Sequence, residues 1–122
     1  MSQTDAMALG RAAGKAAALL RALANEHRLL ILCRLAGGER GVGELVEAVA
    51  LSQSAVSQHL ARLRADGLVA TRRDGQAIFY SLASADVRRL IATLYDIYCK
   101  PSPRRAGARC RPDLSNARSR EP

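Results

Sequence analysis

The sequence predicts a mainly α-helical chain carrying one small β-hairpin. Aromatic residues make up only 3% and Trp is absent, so the core must be built from Leu, Val, Ile and Ala, which favours helices. Apolar residues recur at helical spacing along most of the chain. One stretch, VATRRDGQAIFYSL, changes to a period of two around an Asp-Gly pair. At 122 residues there is room for one domain with a modest core and not for two of ordinary size.

Residues 6–23 are rich in Ala and Leu, with Leu9, Leu19, Leu20 and Leu23 among small residues, and read as a first helix despite Gly10 and Gly14. Asn25 can cap a second helix, EHRLLILCRLA, which Gly37-Gly38 stops. A short helix follows at about residues 43–49, with Leu45, Val46 and Val49 apolar. Leu51-Ser52 turns the chain, and Ser52 caps a helix that runs to Asp66-Gly67. In the hairpin, Ile78, Tyr80 and Leu82 alternate with Ala77, Phe79 and Ser81, and Asp74-Gly75 is the tight turn. Ser84 can cap a last helix in which Val87, Leu90, Ile91, Leu94 and Tyr98 share one face, and Pro101 and Pro103 end regular structure. A short helix, a tight turn and a polar-faced helix make a helix-turn-helix, and the hairpin behind it makes that a winged one.

The formal charge of +8 points to a polyanionic partner, nucleic acid before anionic membrane. Five of those net charges come from residue 100 onward, where seven basic residues face Asp113 and Glu121. That tail, residues 100–122, reads as a disordered solubilising extension, with non-specific phosphate contact as the other reading. The N-terminus has Asp5 early and no continuous apolar stretch of a secretory leader, and no run approaches the ~18 apolar residues of a membrane span. The expectation is a cytoplasmic protein whose three cysteines rest as thiols, with no membrane partner and no cofactor.

The helix after Ser52 carries the chemistry. Val56, Leu60 and Leu63 cluster on one side and should anchor it, while Gln53, Ser54, Ser57 and Gln58 fall toward the other near the N-terminal end. Gln can pair bidentately with adenine, and Ser can donate to or accept from several base edges. Free N–H groups at the helix start suit a phosphate, and Arg62 and Arg64 further along suit the backbone, which positions without reading sequence. In the wing, Arg72, Arg73 and Gln76 flank the turn and can enter a minor groove. His59, at the edge of the apolar arc, reads as a packing or phosphate-contacting residue rather than a metal ligand.

Three stretches, ALANEHRLLILCRL, LSQSAVSQHLARLRADGLV and TRRDGQAIFYSL, resemble the ArsR/SmtB family of bacterial winged-helix repressors, and the similarity runs from about residue 17 to Cys99. The resemblance implies a homodimer joined through the first and last helices, binding double-stranded palindromic operator DNA and released by an inducer. The domain plan is then residues 1–16 as an N-terminal arm and start of the first helix, residues 17–99 as the DNA-binding and sensor domain, and residues 100–122 as the tail. Metal-sensing relatives use a Cys-rich pair before the recognition helix or an Asp/His set on the last one. Here GVGELVEAV lacks Cys and His, and the last helix offers Asp86 and Asp96 without His; His27 stands alone, so no metal ligands are assigned.

Cys33 and Cys99 taken singly read as small hydrophobes. Their placement, in ILC of the second helix and closing LYDIYC of the last, is similar to the BigR and SqrR subgroup of persulfide-sensing repressors. The resemblance implies that Cys33 and Cys99 form the sensing dithiol, with low-molecular-weight persulfides as inducer. A direct disulfide needs Cα atoms within about 7 Å, so a wider gap would favour inserted sulfur. Cys110, in GARCRPD, reads as a bystander. The alternative is an As(III)- or soft-metal-responsive repressor using Cys33, Cys99 and Cys110 as thiolates. A thiol oxidoreductase has no CxxC and no Cys-adjacent His to support it, so no catalytic residue is assigned. A winged-helix module that binds only proteins also remains open.

Overall fold

The computed structural model describes residues 2–99, so Cys110 and the basic tail lie outside the described residues. Those residues form six helices and a three-stranded antiparallel sheet. The order is α1 (Gln3–Arg11), α2 (Ala13–Leu23), α3 (Glu26–Ala36), β1 (Arg40–Gly41), α4 (Val42–Val49), α5 (Gln53–Ala65), β2 (Val69–Asp74), β3 (Ala77–Leu82) and α6 (Ala85–Tyr98).

The expected first helix is two. Ser2 starts α1 ahead of residue 6, because its Oγ accepts from the Asp5 N–H at 3.1 Å while the Asp5 carboxylate accepts from the Ser2 N–H at 3.3 Å. Ala12, at φ −95° and ψ 5°, then breaks the run. Gly10 and Gly14 flank the break, each weakening a helix interior by about 1 kcal/mol relative to Ala. Asn25 caps α3 as expected, its Oδ1 accepting from the His27 and Arg28 N–H groups at 2.9 and 3.0 Å.

On α3 the inward face is Arg28, Ile31, Leu32 and Leu35. A buried guanidinium is tolerable only when its donors are used. Arg28 Nε donates to the Ala22 carbonyl at 2.7 Å and Nη2 to that of Arg21 at 3.0 Å, so the side chain closes the C-terminal carbonyls of α2. Burial, then nearby Arg62, pushes its pKa down, against the opposing pull of Asp66.

Strand β1 was not foreseen, since two residues carry no readable period. It pairs with β3 through Arg40 opposite Tyr80 and Gly41 opposite Phe79, giving the sheet order β1-β3-β2. α4 ends on Ala50 in the left-handed region, φ 55°, a conformation that costs a non-glycine residue about 1–2 kcal/mol and makes the tight turn into α5. In the hairpin, Asp74 faces Ala77, so the two loop residues are Gly75 and Gln76 rather than Asp74 and Gly75. Gly75 has φ 65°, the arrangement of a two-residue turn with glycine first.

Two compact units divide the chain, one ending at Ala85 and one beginning at Asp86. In the first, α3 packs against α2, α4 and α5, and Ile31, Leu32, Leu35, Leu45, Val56, Leu60 and Leu63 are all at most 1% exposed, which makes them its core. In the second, the described part is essentially α6, which begins directly after Ser84. Its Val87 and Ile91 are buried, and Tyr95, Ile97 and Tyr98 are exposed. No helix among the described residues is long and apolar enough to cross a membrane.

Candidate nucleic-acid interface

α5 is held from beneath and from its start. Val56, Leu60 and Leu63 are fully buried, and the Ser52 Oγ accepts from the Ala55 N–H at 3.1 Å. With that face fixed, Gln53, Ser54, Ser57 and Gln58 are all exposed near the N-terminal end. Uncharged hydrogen-bonding groups are thereby presented on a rigid element, which is what reading base edges requires. Arg62 is exposed and lies 3.7 Å from Asp66, an i,i+4 pair. Arg64, Ser57, Leu60, Ala61 and Ala65 of α5 line an open groove of about 450 Å³ with Tyr80 of β3, where the helix meets the wing.

The three wing residues are placed differently. Arg73 and Gln76 are exposed, and Arg73 makes no ion pair among the described residues. Arg72 is engaged: its Nε and Nη2 donate to the two Glu39 carboxylate oxygens at 2.9 and 2.8 Å, and its guanidinium lies 4.9 Å from the Phe79 ring centroid. The shared hydrogen bonds hold the Glu39 carboxyl below its ordinary pKa and Arg72 above its own. Nothing local in the sequence announces this pairing, which joins residues 33 apart.

The fold also gives His27 a neighbour. The His27 and His59 rings, from α3 and α5, lie with centroids 6.0 Å apart and planes tilted by 32°. His27 Nδ1 is buried with no hydrogen-bond partner among the described residues. His59 is half-buried, and burial, then the positive charge of Arg28 and the neighbouring His27, lower its pKa. Described residues include no group of three or more His, Cys, Asp or Glu placed to hold a metal ion.

A pH dependence follows. With the folded pKa depressed below 6.5, the unfolded state takes up a proton first as pH falls. The stability associated with neutral His59 is therefore fully present above about pH 6.5 and declines as pH falls through that value toward the lower folded one. Thermal melts between pH 8 and 5 should show this decline, and His59→Gln should flatten it. An unchanged slope in that variant would assign the effect elsewhere.

Cys33, on α3, is an exposed residue and a free thiol. Partial desolvation of its sulfur raises its pKa, with Arg34 pulling the other way. Cys99 is disulfide-bonded in this structure, a departure from the expectation of three resting thiols.

Residues 25–71 match the family described as bacterial regulatory protein, arsR family. The chain is 55% identical over 86 residues to the transcriptional activator HlyU of Vibrio cholerae, an overlap of 70% of this chain and 80% of that protein. The solved structure of the transcriptional repressor BigR of Xylella fastidiosa is similar at a TM-score of 0.74, with 38% identity over 83% of this chain and 100% of that one. A homodimeric winged helix-turn-helix DNA-binding domain of Mycobacterium bovis is similar at a TM-score of 0.64, with 36% identity over 80% of this chain and 86% of that one. Relatives of this kind are named as regulators of transcription, not as enzymes.

Proposed function

The chain belongs to the arsR family of bacterial regulatory proteins, and on that premise we propose that it is a homodimeric cytoplasmic repressor of transcription. It binds palindromic operator DNA and is released when Cys33 and Cys99 react with persulfide or polysulfide. The observation that carries the DNA reading is the exposed row Gln53, Ser54, Ser57 and Gln58 on a helix anchored by Val56, Leu60 and Leu63. Exposed Arg62, Arg64, Arg73 and Gln76 supply backbone and groove contacts beside it.

Dimerisation is supported by apolar side chains left exposed on the first helices, Met7, Leu9 and Leu20, and on the last, Tyr95, Ile97 and Tyr98. A homodimeric relative fits the same reading. Two recognition helices then meet half-sites about one helical turn, or a multiple of it, apart. Residues 17–99 form the DNA-binding and sensor part.

The sensing step rests on the positions of Cys33 and Cys99 and on likeness to a repressor, BigR. In the protein reduced by cellular thiols, where Cys99 is released from its disulfide, each thiolate takes the sulfane sulfur of a low-molecular-weight persulfide and releases its thiol; condensation of the two cysteine persulfides then gives a trisulfide bridge and H2S. Partial burial raises the pKa of Cys33 and so disfavours its thiolate. Repression is the direction named for BigR, whereas HlyU is named an activator.

An operator gel shift on fully reduced protein, with and without glutathione persulfide, tests this when intact mass is read from the same samples. Lost binding, with added sulfur mapped between Cys33 and Cys99 and no response in Cys33→Ser, is the expected result. Unchanged binding and mass would sink the sulfur reading, and release by arsenite would replace it with the soft-metal one.

A further inference from the structure

We propose that Glu39 is a positioning residue that withholds Arg72 from DNA and braces the wing, leaving Arg73 as the wing's phosphate-contacting cation. The inference rests on the DNA-binding reading and deepens it. Arg72 and Arg73 are adjacent in sequence and equivalent in composition, yet strand alternation sends them to opposite faces of β2. Arg72 sits directly across from Phe79 of β3, and its guanidinium lies over that ring at 4.9 Å. Glu39 stands one residue before β1, whose Arg40 and Gly41 pair with Tyr80 and Phe79. The bidentate contact, at 2.8 and 2.9 Å, therefore ties β2 to the entry of β1 across the middle strand.

The fork leaves little of Arg72 for a phosphate. Nε and Nη2 are taken by Glu39, and Nη1 faces Asp74 at 4.0 Å. Glu39, Arg72 and Asp74 together carry one net negative charge, so a phosphate approaching that side of the wing is repelled. Arg73 has no such carboxylate among the described residues. Because an exposed ion pair is weak by itself, the arrangement depends on the bidentate geometry and the ring beneath it.

The test is the salt dependence of binding to one palindromic duplex by wild-type protein and by Arg72→Gln, Arg73→Gln and Glu39→Gln. Each phosphate contact contributes about 0.9 to the slope of log K against log salt. Arg73→Gln should lower the slope by about that much per subunit, Arg72→Gln should leave it unchanged, and Glu39→Gln should raise it as Arg72 is freed. On the DNA-free protein, the Arg72 Nε–H should be protected from hydrogen exchange in the wild type and lose protection in Glu39→Gln. A slope lowered by Arg72→Gln, or an Nε–H unprotected in the wild type, overturns the inference while leaving DNA binding intact. Wild-type protein that binds no duplex overturns the DNA-binding reading itself.

Discussion

Truncating Leu60 to alanine is expected to remove about 2–5 kcal/mol of folding stability. Leu60 is 0% exposed and sits between Val56 and Leu63 on the buried face of α5. Deleting its branched end loses the transfer free energy of those carbons and the contacts of the atoms around them, because a packed core refills only partly. A domain of this size holds roughly 5–15 kcal/mol in total, so one such change removes a large fraction. Leu60 also lines the groove between α5 and β3, so the loss should reach DNA binding through disorder of the recognition helix as well as through unfolding. Urea denaturation measures the first effect, with Leu60→Met as the volume-conserving control expected to cost under about 1.5 kcal/mol. A loss for Leu60→Ala no larger than that of the control would mean that α5 is not anchored by this face.

Elements with a strong local signal were legible in the sequence, and those defined by partners were not. The Asn25 cap, the Ser52 cap and the buried arc Val56, Leu60, Leu63 are short-range patterns, and they stand where the pattern puts them. The hairpin was legible by its change of period, although the loop falls one residue later, because strand register rather than the Asp-Gly pair decides which residues turn. β1 is too short to have a period and exists through its pairing with β3. The break at Ala12 depends on a local balance that a run of Ala and Leu conceals.

Arg28 is instructive, since a signal was available: it stands at i to Ile31, Leu32 and Leu35 at i+3, i+4 and i+7, the spacing of a buried face. A charge at such a position implies that a partner must satisfy it, and the partner is the end of α2. The exposed polar row Gln53, Ser54, Ser57 and Gln58 was legible because polarity and helical phase coincide there. The Glu39–Arg72 pair and the His27–His59 contact were not, because each joins elements that are distant in sequence, and no periodicity reports a tertiary contact.

The exposed polar face of α5, as the proposed reader of bases, makes the other large prediction. Replacing Gln53 and Gln58 together by alanine should abolish operator preference while leaving the fold and weak, sequence-independent binding in place. Both side chains are exposed, so their removal leaves no cavity and no buried group unpaired. A Gln that pairs bidentately with adenine supplies about 1–3 kcal/mol of discrimination, which is roughly 5- to 150-fold per residue and more for the pair. On the proposed reading Arg62, Arg64 and Arg73 remain to hold phosphates, and contacts of that kind do not depend on sequence. Competition gel shifts with operator and scrambled duplexes should therefore converge on the scrambled value, at an unchanged melting temperature. An equal loss on both duplexes would make these glutamines general contacts and not readers. No loss on either would move base reading off this end of α5.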